Sequence, residues 1–88
     1  MNLARFLNKL FKKDGFILID AHLKKYIIGE PEKKTPIILK ILKKNLHYKL
    51  LLRPDLYFGE AYSNGEVKIE NGTLTEFLDL ALKNIGRG

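Results

Sequence analysis

Eighty-eight residues, 45% of them hydrophobic and 30% charged, describe one small domain with a modest core, not a disordered chain. The absence of cysteine excludes disulfides and thiolate metal sites and leads us to expect a reducing cytoplasm, and no apolar run approaches the roughly 20 residues that span a bilayer. The net charge of +6 is uneven: residues 1–53 carry 13 Lys and Arg against 4 Asp and Glu, and residues 54–88 carry 3 against 6, so the first half favours phosphate backbones or anionic lipid headgroups.

The opening "MNLARFLNKLFKKDG" lacks the continuous apolar segment and small-residue cleavage site of a secretory signal. Leu3, Phe6, Leu7, Leu10 and Phe11 recur at helical spacing, and Arg5, Lys9, Lys12 and Lys13 occupy the remaining surface. This predicts an amphipathic helix over residues 2–12, stopped at Asp14-Gly15. Such a helix either lies in a lipid interface with its lysines toward the headgroups, or docks on its own core or a neighbouring domain.

Three aliphatic runs follow, "FILID", "HLKKYIIG" and "TPIILKIL", each bounded by Gly, Pro or charged clusters. They predict three strands in a meander, with Gly29 at a tight corner and Pro31 and Pro36 keeping the intervening loop irregular. In "NLHYKLLLRPDLYFGEAYS" the period changes to that of a helix, and Pro54 predicts a break: one short helix before it, a second over residues 54–63. Asn64-Gly65 reads as a turn, with Gly65 at positive φ. "EVKIE" alternates as a half-buried strand with Val67 and Ile69 inward, and Asn71-Gly72 turns again. Thr73 and Glu76 have capping-box spacing for a last helix whose apolar face is Leu74, Phe77, Leu78, Ala81 and Leu82, ended by Gly86. The fold class predicted is α+β: a small, mostly antiparallel sheet of about four strands with the helices gathered on one face.

Enzymatic groupings are missing from these residues. His22 falls in a predicted strand and His47 in a predicted helix, neither with a partner at ligand spacing, and Ser63 has no nucleophile-elbow context. Glu60 and Glu66 are separated by a turn, and no glycine-rich phosphate loop is present. No catalytic residue, metal ligand or cofactor site is therefore assigned. Tyr26 and Tyr48 stand near lysines and suit base stacking, but no nucleic-acid recognition motif accompanies them, so a basic nucleic-acid module ranks low. Lipid binding accounts for more features, since a thin sheet under short helices leaves room for an acyl groove beside a basic half.

The run "FGEAYSNGEVKIENGTLTEFLDLALKN" resembles the end of the N-terminal domain of cyclopropane-fatty-acyl-phospholipid synthases, which carries G-E-A-Y-M-D-G, then a short strand, then a leucine-rich helix. Gly59, Glu60, Ala61, Tyr62 and Gly65 match that motif, while Ser63 and Asn64 depart from it. Upstream, "LLLRPDLYFGEAY" resembles the family's approach helix and "DGFILIDAHLKKYIIGEP" its opening hairpin, so the likeness covers residues 14–84. "GEVKIENGTLTEFLDLALK" is more weakly similar to sterol-carrier-type lipid-binding domains, which implies a sterol-carrier-like arrangement. The resemblance implies a non-catalytic N-terminal domain of an S-adenosylmethionine-dependent methyltransferase that modifies phospholipid acyl chains, with cofactor and catalytic residues in a C-terminal domain. It implies cytoplasmic placement, peripheral at the inner face of a bacterial membrane.

The expected lipid-facing residues are Lys9, Lys12 and Lys13, with Lys24, Lys25, Lys43 and Lys44 behind them, and Phe6, Leu10 and Phe11 inserting or docking on the partner domain. The glycines of the motif are expected to turn the chain at both ends of a short helix, with the Tyr62 ring toward the core and Glu60 pinning the turn. The rival from another class is a scaffold or homodimerisation domain without lipid binding.

Overall fold

The computed structural model describes residues 2–85. Helix α1 (Asn2–Leu10) places Leu3, Ala4 and Leu7 in the core, and the following turn carries Phe11 there as well. Strands β1 (Gly15–Ile19) and β2 (Lys25–Gly29) form an antiparallel hairpin in which Gly15 faces Gly29. Strand β3 (Ile38–Ile41) does not continue as a meander: it pairs parallel with β1, Leu18 opposite Leu39. Strand β4 (Val67–Glu70) pairs antiparallel with β3, so the sheet order is β2-β1-β3-β4 with one parallel pair.

The physical reason for this order lies in the strand faces. Phe16, Leu18, Leu39 and Ile41 are buried and belong in the centre, whereas β2 and β4 carry exposed Lys25, Ile27 and Lys68 and suit edges. The chain reaches β3 by passing under the start of β1. Asp14 holds that passage, its carbonyl accepting the Glu30 N–H (3.3 Å) and its carboxylate the Glu32 N–H (2.9 Å). The crossing is backbone on backbone: a Cβ on Gly15 would lie 2.0 Å from the Ile28 carbonyl oxygen, and one on Gly29, at φ +68°, 2.5 Å from the Asp14 carbonyl oxygen. Gly15→Ala is therefore expected to cost at least about 1–3 kcal/mol, the usual range for overpacking, and urea unfolding would read it. A cost below about 0.5 kcal/mol would mean that the crossing relaxes freely.

Helices α2 (Leu46–Leu52) and α3 (Pro54–Ser63) meet at Arg53-Pro54 as predicted, with Pro54 and Asp55 in the first turn of α3. Gly65 (φ +71°) and Asn71 (φ +60°) supply the two left-handed corners around β4. Helix α4 (Leu74–Ile85) opens with the capping box, the Thr73 N–H donating to Glu76 Oε1 (2.8 Å) and the Glu76 N–H to Thr73 Oγ1 (3.1 Å). Gly86, the expected stop, lies outside the described residues. The core face of α4 is rotated from the predicted one: Phe77 and Leu80 are buried, while Leu78, Leu82 and Ile85 are exposed.

In the register, Phe16, Leu18, Ile28, Leu39, Ile41, Val67 and Ile69 share one face of the sheet. All four helices cover that face through Leu3, Leu7, Leu46, Leu50, Ala61, Phe77 and Leu80. A row of rings ties the layers together, Phe11–Phe16 (5.0 Å), Phe16–Phe77 (5.1 Å) and Phe77–Phe58 (5.2 Å) between centroids. The centre of the space between the layers is filled by these side chains, with Phe16, Leu18 and Ile28 fully buried.

Candidate functional site

Because the four helices lie on one side, the described residues leave the opposite face of the sheet bare. One row across it reads Ile27, Ile17, Ile38 and Glu70, and the next reads Lys25, Ile19, Lys40 and Lys68. Ile27 is 62% exposed, while Ile17, Ile19 and Ile38 are half-buried by their own neighbours. Lys40 Nζ and Lys68 Nζ both reach Glu70 Oε2, at 3.2 and 3.8 Å. The rows run toward one end of the sheet, where β1 and β3 finish and β2 begins. There the strands present Leu42, 55% exposed beside Lys43 and Lys44, and a hairpin tip at Leu23, 84% exposed in a left-handed conformation (φ +67°) before Lys24. Exposed leucines ringed by lysines on a partly apolar sheet form an amphipathic surface.

This geometry divides the residues singled out from the sequence. Lys24, Lys25, Lys43 and Lys44 come together at that end. Lys12 and Lys13 precede β1 and lie at the other, where the Lys13 backbone is clamped by Asn84 through two 2.7 Å hydrogen bonds. Lys9, in the last turn of α1, belongs to the same far end. Phe11 is buried against Phe16, and Phe6 and Leu10 pack half-buried on the core. The apolar face of α1 is thus docked on its own sheet. Phe11 has no surface left to insert into lipid, because it closes the end of the aromatic row.

The family-like motif is also placed differently. Gly59 and Glu60 lie exposed in the middle of α3, so Gly59 makes no corner. Ala61 is the residue of the motif in the core. The Tyr62 ring is exposed beside Phe58 (6.5 Å) instead of turned inward, because Ala61 and not Tyr62 holds the core side of α3. Gly65 alone forms the expected left-handed turn.

A polar cluster that sequence spacing gave no reason to expect sits under the hairpin tip. Asp20 is 2% exposed, and its carboxylate accepts the N–H of His22 (2.9 Å) and of Lys24 (2.8 Å), which shapes the tip. The Ala21 N–H donates to Nε2 of His47 in α2 (3.2 Å), which leaves the neutral ring with its proton on Nδ1. His22 is in the turn, not in a strand, with its ring 6.1 Å from that of His47. The only local signal was the D-x-H at the end of β1, since His47 lies 26 residues from Ala21.

Burial acts to raise the Asp20 pKa, but the backbone N–H groups of Lys24 and His22 and the two imidazoles outweigh it and hold it below the ordinary value. Burial lowers the His47 pKa, with Asp20 opposing it, and burial together with the Asp20 carboxylate raises that of Tyr26. Both lowered groups bind protons less readily folded than unfolded, so both contribute stability that acid removes. The melting temperature is expected to hold at neutral pH, to decline first as pH drops below the ordinary His value of 6.5, and again below the ordinary Asp value of 3.8. A melting temperature that rises on acidification from pH 7 would contradict this, and a calorimetric pH series decides it.

Among the described residues no group of three or more His, Cys, Asp or Glu is arranged to hold a metal, and no helix is long and apolar enough to cross a membrane. Comparison with protein-family models and with curated protein sequences finds no match for this chain.

Proposed function

We propose that this domain engages anionic phospholipid at the membrane surface on behalf of a cyclopropane-fatty-acyl-phospholipid synthase-like, S-adenosylmethionine-dependent methyltransferase domain, without chemistry of its own. The observation that carries the membrane part is the bare sheet face, with Ile17, Ile19, Ile27 and Ile38 beside Lys25, Lys40 and Lys68 and the exposed Leu23 and Leu42 at its end. Isoleucines reach the boundary of headgroups and acyl chains while lysines meet lipid phosphates. The methyltransferase part rests on the "GEAY…G" likeness alone. In this reading the exposed stripe Leu78, Leu82 and Ile85 of α4 points away from the bilayer, toward the side where a catalytic domain would pack.

Other readings are less well supplied. A homodimer that pairs two bare faces would set Lys25, Lys40 and Lys68 of one copy near those of the other, a like-charge arrangement that weakens association. A stacking platform for nucleic acid needs aromatics on the open face, but Tyr26 packs on the helix side and the open rows carry isoleucine.

The test is co-sedimentation of the 88-residue chain with neutral and anionic phospholipid vesicles at low and high salt. Binding is expected only with anionic lipid, and Ile27→Ser with Leu42→Ser is expected to weaken it at least tenfold, the effect of about 1.4 kcal/mol. Both side chains are exposed, so the fold should be unaffected. No binding in any condition would sink the membrane role of this domain.

A further inference from the structure

The cluster beneath the hairpin tip stands where the lipid-facing residues converge, and its geometry couples a proton to them. His47 holds the tip as an acceptor, through the Ala21 N–H at 3.2 Å. An imidazolium has no acceptor nitrogen, so a protonated His47 and the Ala21 N–H become two donors face to face, and that bond is lost. The tip then keeps only the bonds within its own hairpin, the Asp20 carboxylate with the N–H groups of His22 and Lys24, the Asp20 N–H with the Lys24 carbonyl and the Leu23 N–H with the Asp20 carbonyl, and none to α2. The new positive charge appears next to Lys43 and Lys44, which precede α2, and close to Lys24 and Lys25.

We propose that protonation of His47 strengthens attachment of this end to anionic lipid, by unfastening the hairpin tip from α2 and adding a charge to its ring of lysines. The inference rests on the membrane reading above and supplies its regulation. The groups acting on His47 are the Asp20 carboxylate, which favours its charged form, and the His22 imidazole, which opposes it. Tyr26 from β2 faces the same carboxylate. Helix α3, packed against α2, carries Asp55 and Glu60, helix α1, which also packs against α2, carries Arg5 and no acidic residue, and α2 itself adds Lys49. Asp20 is the one carboxylate that acts on the His47 ring, and burial favours its neutral form. An anionic leaflet concentrates protons at its own surface, so approach to the membrane favours the released form.

The experiment measures binding of the 88-residue chain to phosphatidylglycerol-containing vesicles from pH 7.5 to 5.5, with the Ala21 amide and His47 ring followed by NMR in parallel. Wild type is expected to bind about fivefold tighter at the acid end, the increment of one positive charge near an anionic surface. The Ala21 amide should shift with the same midpoint as the His47 ring. His47→Gln retains an acceptor for Ala21 but never charges, and is expected to lose most of the increase while binding normally at pH 7.5. His22→Gln should leave the Ala21 titration in place. An undiminished increase in His47→Gln, or an Ala21 amide that ignores the His47 titration, overturns the latch and leaves the membrane reading standing. Absence of binding at every pH overturns the membrane reading, and the latch's regulatory role with it.

Discussion

Phe16→Ala is expected to remove about 3–5 kcal/mol of stability, the usual cost of emptying a buried phenylalanine site, and to leave the domain partly unfolded at room temperature. Phe16 is fully buried in the central strand β1, with Phe11 and Phe77 edge-on to it at 72° and 85°. Truncation removes the ring's own burial and both edge-to-face contacts, each of which adds about 0.5–1.5 kcal/mol. The loss cannot be absorbed by collapse, because α1 and α4 reach Phe16 from separate directions. A domain this small commands only about 5–10 kcal/mol in total. Phe58→Ala, at the half-buried end of the same row, should cost distinctly less. Denaturant unfolding of the pair provides the check: equal costs would mean that the row does not organise the core.

Lys25→Glu with Lys68→Glu is expected to weaken binding to anionic vesicles roughly 1000-fold. Each reversal removes a positive charge and adds a negative one near the membrane, at about 1 kcal/mol per charge. Four charge units amount to about 4 kcal/mol, or roughly three decades in affinity. Stability should barely change, since both lysines are exposed and the 3.8 Å pair between Lys68 and Glu70 is screened by water. The informative comparison is Lys12→Glu with Lys13→Glu, which alters the same charge at the far end of the sheet. If that variant loses more affinity than the first, the membrane lies at the other end and the bare face is not the contact surface.

That comparison exists because the sequence ranked the lysines in the opposite order. Lys9, Lys12 and Lys13 stand next to the most amphipathic run in the chain, which made them the first candidates. What the run could not reveal was that its apolar side already had a partner: Phe11 and Leu7 cover the sheet, and Asn84, from the other end of the chain, ties down the Lys13 backbone. Conversely, Lys25 was only a secondary candidate, and Lys40 and Lys68 looked like scattered charges within strands. They become one row only because β1 to β4 align them. His22 and His47 are likewise unremarkable in sequence and meet across 6.1 Å only because α2 packs at the end of β1.

By itself the sequence determined the features whose causes lie within a few residues. Pro54 lacks the N–H that would continue α2 and so starts α3. Thr73 and Glu76 cap α4 reciprocally, and Gly65 takes the left-handed turn that a Cβ disfavours. The class follows too, as helical and strand periods select which segments can bury a face. Only the tertiary structure decided the rest: β3 beside β1 rather than β2, Leu80 rather than Leu78 and Leu82 against the core, and a bare sheet face. Those choices are made by contacts between residues far apart in the chain, where burial of one apolar surface competes with burial of another, and no local pattern records which one wins.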